Sequence, residues 1–166
     1  MSERTLALMR HAKSGYPGGV ADHDRPLAAR GVREAGLAGD WLRSALPRID
    51  AVLCSTAART RETLTCARLS AAVTFDERLY DAVPGTVIDE INRVPDDVAT
   101  LLVIGHEPAI SAVALGLADA SKSNRQAAES ISTKFPTSAI AVLHVEEPWR
   151  ELHLGDAALV TFHVPR

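Results

Sequence analysis

Three short apolar runs constrain this chain more than any other feature it has: Thr5–Met9, Asp50–Cys54 and Thr100–Ile104. Each has the length of a strand, lacks the polar alternation of a half-exposed one, and precedes a segment of helical period, which reads as strands buried on both faces of a sheet. After the first run a loop rich in turn residues spans Ser14–Pro26. Arg30–Leu46 then sets Val32, Ala35, Leu37, Ala38, Trp41, Leu42 and Ala45 at helical spacing, with Trp41 as a core anchor, until Pro47 stops it. A helix over Ala58–Ala71, opened by the Ser55-Thr56 pair as its N-cap, follows the second run. Pro108–Leu117, with proline in a permitted first turn, follows the third. Val73–Phe75 reads as a short strand and Asp89–Val94 as a helix closed by Pro95. This alternation predicts an α/β fold with a mostly parallel central sheet flanked by helices. Ser138–Val145 and Ala158–Val164 read as antiparallel edge strands, and the polar stretch Ala120–Lys134 is open between a surface helix with a loop and a mobile excursion.

Composition narrows the function classes. A length of 166 residues suits one domain, taken as 1–166, and 27 alanines against 7 aromatic residues predict a core of small and aliphatic side chains. The formal charge is −3, with 15 Arg, 3 Lys and 21 acidic residues, so there is no broad basic face for nucleic acid. The arginine excess reads either as genomic background or as anion ligands, because guanidinium holds phosphate bidentately. Cys54 and Cys66 make neither a disulfide framework nor a Cys-x-x-Cys pair. Only Leu6–Met9 are apolar in sequence before Arg10, and the longest uncharged run is the eleven residues Pro108–Ala118, against about 18 for a membrane span. The expectation is a cytoplasmic protein with no membrane contact.

The strong strands end in polar residues of unusual type: Arg10-His11, then Ser55 with Arg59 one helical turn on, then Gly105-His106. Ligands of open α/β sheets bind beyond the carboxyl ends of the strands, so these groups are expected to converge. Two histidines and two arginines would make an oxyanion pocket with a nitrogen nucleophile. Taken singly, each residue also has a plain structural reading as a satisfied polar group or a surface charge. Zinc is the rival chemistry, but the six histidines, 11, 23, 106, 144, 153 and 163, contain no His-Glu-x-x-His pair. Phosphate-binding glycine loops and a Gly-x-Ser-x-Gly elbow are also missing from the sequence.

These residues carry a family resemblance. Leu8-Met9-Arg10-His11-Ala12-Lys13-Ser14 resembles the Arg-His-Gly signature of the histidine phosphatase superfamily (branch 1), in the form seen in SixA-type phosphohistidine phosphatases. Further matching blocks follow in order at Asp24-Arg25-Pro26-Leu27, Arg30-Gly31, Ser55-x-x-x-Arg59-x-x-x-Thr63, Leu79-Tyr80-Asp81, Gly105-His106-Glu107-Pro108 and Thr137-Ser138-Ala139-Ile140. The resemblance implies a three-layer, phosphoglycerate-mutase-like sandwich, His11 as nucleophile through a phosphohistidine intermediate, and Arg10, Arg59 and His106 around the phosphoryl oxygens. It implies no metal and no cofactor. Ala12 replaces the usual glycine. The family's proton-donating glutamate falls where this chain has Asp81, which would donate a proton directly, donate through water, or cap the next turn. Lys13, Arg25 and Arg61 lie near the motif blocks as substrate contacts or solvated charges, and Ser55 and Ser138 either orient pocket groups or shape turns. Mutases of the superfamily carry inserted segments that this chain lacks, which favours an open pocket for a phosphorylated protein, a phosphohistidine carrier or signalling domain. A small phosphate ester is the same-class alternative, and a poorly catalytic phosphate-binding module is the alternative from a different class.

Overall fold

The computed structural model describes residues 3–166. In chain order it has β1 (Arg4–Arg10), α1 (Ala29–Ala45), β2 (Ala51–Ser55), α2 (Ala58–Ala67), β3 (Ala72–Asp76), α3 (Pro84–Asn92), β4 (Thr100–Gly105), α4 (Ala109–Leu117), α5 (Arg125–Thr133), β5 (Ile140–Val145) and β6 (Ala157–His163). The strands form one sheet in the order β3-β2-β4-β1-β5-β6. β1 to β4 run parallel, and β5 is antiparallel to both β1 and β6.

Alternate residues of the central strands feed two cores, as the period-2 geometry of a strand requires. Leu6 and Leu8 of β1 pack with Val87 and Ile91 of α3, Ile110 and Val113 of α4, and Ile131 of α5. Ala7 and Met9 turn the other way, with Ala38 and Leu42 of α1 and Leu64 of α2. The fold is therefore three-layered, with α1 and α2 on one face and α3 to α5 on the other. The chain winds outward from β1 through β2 to β3 under α1 and α2, then returns through β4 along the opposite face. Loops after β1 and β4 consequently diverge at neighbouring strands, which opens a crevice at the topological switch point.

Two glycines allow the close approaches this requires. A Cβ on Gly39 of α1 would lie 2.0 Å from the Ala67 carbonyl oxygen, so α1 and α2 cross in backbone contact. A Cβ on Gly31 would lie 2.1 Å from the carbonyl oxygen of Lys13, so the start of α1 presses on the segment that follows His11.

Several sequence expectations need correction. α2 ends at Ala67, not Ala71, because Arg68 takes a left-handed conformation (φ 52°) and releases the chain into β3. Its N-cap is Ala57, without a side-chain cap; Thr56 is not the cap, and Ser55 Oγ accepts only the Ala57 N–H. α3 begins at Pro84, in a first-turn position where proline loses no hydrogen bond, and ends at Asn92. Within 120–134 the structure has α5, opened by the Asn124 side chain accepting from the Ala127 N–H. Ser138 stands outside β5 in a left-handed turn (φ 68°), and β5 lies inside the sheet, leaving β6 as the edge. Trp41 is only half-buried and stacks on His163 at 4.4 Å, whereas Trp149 is the fully buried tryptophan. Among the described residues no helix is long and apolar enough to cross a membrane.

Candidate active site

The sheet register brings the strand ends together. Arg10 pairs with Gly105 across β1 and β4, so His11 and His106 leave adjacent strands side by side, and Cys54 pairs with Ile104, which sets Ser55 on the other flank. The rings of His11 and His106 have centroids 5.3 Å apart at 54°.

His11 is fixed in orientation. Its Nδ1 lies 2.7 Å from the Ala12 carbonyl oxygen, which can only accept, so Nδ1 carries the proton and Nε2 keeps its lone pair. The Ala12 N–H donates to Thr63 Oγ1 at 2.9 Å, and that hydroxyl donates to the Arg59 carbonyl at 2.7 Å, tying the histidine's support to α2. The His11 backbone N–H donates to the Gly105 carbonyl, and the Ser138 N–H donates back to the His11 carbonyl. With 7% of its surface exposed, His11 is held neutral. Burial pushes its pKa down to about 3, and the nearby His106, Arg59 and Arg10 add to that, against the opposing Ala12 hydrogen bond.

His106 is also neutral, pushed down to about 4 by burial first and by Arg59 next. Its Nε2 is 2.8 Å from Ser55 Oγ. Ser55 Oγ, which accepts from the Ala57 N–H, donates to Nε2 in the tautomer that carries the imidazole proton on Nδ1. That Nδ1 is buried and has no partner among the described residues.

The guanidinium groups are braced from behind. One terminal nitrogen of Arg10 donates to the Phe135 carbonyl at 2.9 Å, and its Nε is buried without a partner. Burial lowers the proton affinity of Arg10. Arg59, 7% exposed, donates to the Asp22 backbone carbonyl at 2.8 Å and to Asp22 Oδ2 at 3.2 Å, and its Nε is likewise buried and unpartnered. Arg10 Nε, Arg59 Nε and, in that tautomer, His106 Nδ1 are thus buried donors without partners on side chains near His11. Buried polar atoms are seldom left unpaired, and a cluster of donors at a crevice is the arrangement that receives an oxyanion.

Asp22 and Tyr80 are the members that sequence reasoning missed. The Tyr80 hydroxyl donates to Asp22 Oδ2 at 2.5 Å, and Arg25 Nε donates to Asp22 Oδ1 at 3.1 Å. The Tyr80 hydrogen bond, followed by the one from Arg25, holds the Asp22 carboxyl well below the usual carboxylate range, and the same contact pushes the Tyr80 phenol up. The Tyr80 ring meets His106 edge-on at 5.6 Å. Nothing in the sequence marks Asp22, which lies in an aperiodic loop, although Tyr80 sits inside a matching block.

The expected site residues separate into two groups. Arg10, His11, Ser55, Arg59 and His106 come together. Lys13 is exposed and enters through its backbone, its carbonyl accepting from the Ala28 N–H. Asp81 is exposed in a left-handed turn (φ 53°), and its neighbour Tyr80 is the residue that reaches Asp22. Arg25 ties the Ser14–Pro26 loop together through Ser14 and Gly15, and Arg61 lies over the Phe75 ring at 5.2 Å on the outer edge of the sheet. Ser138 is buried, and its N–H donates to the Arg10 and His11 carbonyls.

Fold and site together define an α/β protein with histidine and arginine side chains gathered at the carboxyl edge of its parallel strands. The chain belongs to the histidine phosphatase superfamily (branch 1), whose family model matches residues 6–145. It is 63% identical over 158 residues, 95% of this chain and 100% of the relative, to an uncharacterized protein of Mycobacterium tuberculosis (strain ATCC 25618 / H37Rv). Among solved structures it resembles the "putative phosphohistidine phosphatase SixA" of Nakamurella multipartitia at 39% identity and a TM-score of 0.91, covering 99% of this chain and 98% of that one. A phosphoglycerate mutase of Plasmodium falciparum shares the fold at 18% identity and a TM-score of 0.64, over 100% of this chain and 94% of its own.

Proposed function

We propose that this chain acts as one cytoplasmic histidine phosphatase domain that hydrolyses phosphohistidine, with a protein as the carrier of that phosphohistidine. The observation that carries the reading is the His11 ring, held by the Ala12 carbonyl so that Nε2 keeps its lone pair, beside side chains whose Arg10 Nε, Arg59 Nε and His106 Nδ1 atoms are buried without partners. Phosphoryl transfer leaves little covalent work to the protein beyond alignment and charge stabilisation, and this set supplies both.

In the first half-reaction His11 Nε2 bonds to phosphorus while the bond from phosphorus to the leaving group breaks. The leaving atom takes that electron pair and then a proton from solvent water. Arg10 and Arg59 bear the charge on the phosphoryl oxygens, and His106 donates a hydrogen bond from Nδ1. In the second half-reaction water attacks phosphorus and gives a proton to solvent, and the Nε2–P electron pair returns to His11 as inorganic phosphate departs.

The leaving group follows from the carboxylates. Asp22 is held ionised by Tyr80 and Arg25, and Asp81 lies exposed on a left-handed turn, so neither carboxyl is held in place as a donor to a leaving alkoxide. An imidazole nitrogen leaves phosphorus with less help than an alkyl oxygen. The free, unpaired thiols of Cys54 and Cys66 suit a reducing compartment.

A substrate panel tests this reading. Free phosphohistidine and a histidine-phosphorylated carrier protein are expected to be hydrolysed with higher kcat/KM than sugar or nucleotide phosphates. The reverse order would replace the reading with a small-molecule phosphomonoesterase. Asp81→Ala is expected to leave phosphohistidine hydrolysis unchanged, and an equal loss on phosphohistidine and alkyl phosphates would refute the leaving-group argument.

A further inference from the structure

The phosphoryl cleft opens beside the Ser14–Pro26 loop, and that loop holds an aromatic side chain in an unusual state. Tyr16 is 78% exposed, more than any other large hydrophobic residue among those described. It is nonetheless not loose. The Arg25 guanidinium lies 4.2 Å from its ring centroid, and Arg25 is itself fixed by Asp22 at 3.1 Å, Ser14 Oγ at 2.6 Å and the Gly15 carbonyl at 3.1 Å. The loop ends are closed by the Gly15 N–H donating to the Pro26 carbonyl and by the bridge between Ser14 and Leu27. Asp22, the carboxylate that anchors Arg25, also braces Arg59 of the cleft.

An exposed aromatic ring held by a guanidinium has already lost most of the freedom that binding would remove, and such rings are the usual anchors of protein recognition. What covers it follows from the cleft. A phosphoryl group seated on His11 must be carried by something, and the loop bearing Tyr16 leaves β1 directly after His11 and supplies Asp22 to Arg59. A free phosphohistidine ends within a few bonds of phosphorus, whereas a phosphoprotein brings a surface. Val83, 63% exposed three residues beyond Tyr80, adds an apolar side chain on a second loop from the same edge of the sheet.

We infer that Tyr16 is a docking residue for the protein that carries the phosphohistidine, contacting apolar surface next to the phosphorylated side chain while remaining outside the phosphoryl pocket. This rests on reading the site as a phosphohistidine phosphatase.

The test is steady-state kinetics of wild type, Tyr16→Ala and Tyr16→Phe on two substrates: free phosphohistidine, and a histidine-containing phosphocarrier protein phosphorylated with phosphoramidate. Tyr16→Ala is expected to lower kcat/KM on the phosphoprotein about tenfold, mainly through KM, as loss of an interface anchor does. On free phosphohistidine it is expected to stay within about twofold of wild type, as a residue outside the pocket should. Tyr16→Phe, which keeps the ring over Arg25, is expected to restore most of the loss. Equal losses on both substrates would make Tyr16 a scaffold of the loop and overturn the inference, as would no change on either. A wild type that hydrolyses free phosphohistidine but not the phosphoprotein would overturn the inference and leave the phosphatase reading standing. A wild type inactive on both would overturn the reading itself, and the docking role with it.

Discussion

Acidification is expected to destabilise this protein through the same burial that keeps His11 nucleophilic. In the folded chain His11 resists protonation down to about pH 3, against an ordinary value of 6.5. Between those two values the unfolded chain binds a proton that the native chain refuses, so stability falls as pH drops below 6.5 and stops falling near 3. Each pH unit inside the window is worth about 1.4 kcal/mol, which gives a loss of about 3 kcal/mol at pH 4.5 from this one residue. That is a large share of the roughly 5–15 kcal/mol that holds a domain of this kind together. His106, pushed down to about 4, acts in the same direction. The assay is urea unfolding of wild type and His11→Gln at pH 7 and pH 4.5, where every group other than His11 is common to both proteins. Wild type should lose about 3 kcal/mol more than the variant over that interval. Parallel losses in the two proteins would refute the claim that His11 is buried as a neutral imidazole.

Other perturbations probe the supports of the site and the fold. Thr63→Val removes the hydroxyl that accepts from Ala12 and donates to Arg59, leaving the buried Ala12 N–H unpaired; a stability loss of about 1–3 kcal/mol by thermal unfolding and a fall in kcat are expected. Asp22→Ala removes the carboxylate half of the Arg59 brace, leaving the backbone carbonyl contact, and should raise KM several-fold, while stability changes by less than about 1 kcal/mol because the carboxylate is half-exposed; an unchanged KM would deny the Asp22 side chain its positioning role. Gly39→Ala places a methyl group 2.0 Å from the Ala67 carbonyl, so the α1–α2 crossing must shift, at about 1–3 kcal/mol measured by denaturant midpoint.

How much of this was legible in the sequence depended on how local each cause was. The apolar runs of β1, β2 and β4 and the polar residues at their ends stood out because a strand buried on both faces has no room for polar alternation, so Arg10, His11, Ser55, Arg59 and His106 were all readable. Helix limits were less so. α2 stops four residues early because Arg68 tolerates a left-handed turn that glycine more often marks, and the start of α3 was hidden because Pro84 and Gly85 look like a loop. Trp41 has the period of a core residue, yet its partner is His163 on the last strand, a contact set by topology and not by spacing. Asp22 and Tyr80 meet across 58 residues, and only the folded loop reveals that they brace Arg59.

The central step of the proposed reaction is a covalent bond between phosphorus and His11 Nε2. Brief mixing of the protein with a phosphorus-labelled aryl phosphate or phosphoramidate, followed by quenching in alkali and peptide mapping, reads it directly. The prediction is a stoichiometric, acid-labile label on His11 in wild type, absent in His11→Ala. Turnover without any label on His11, or a label that persists in His11→Ala, would contradict it.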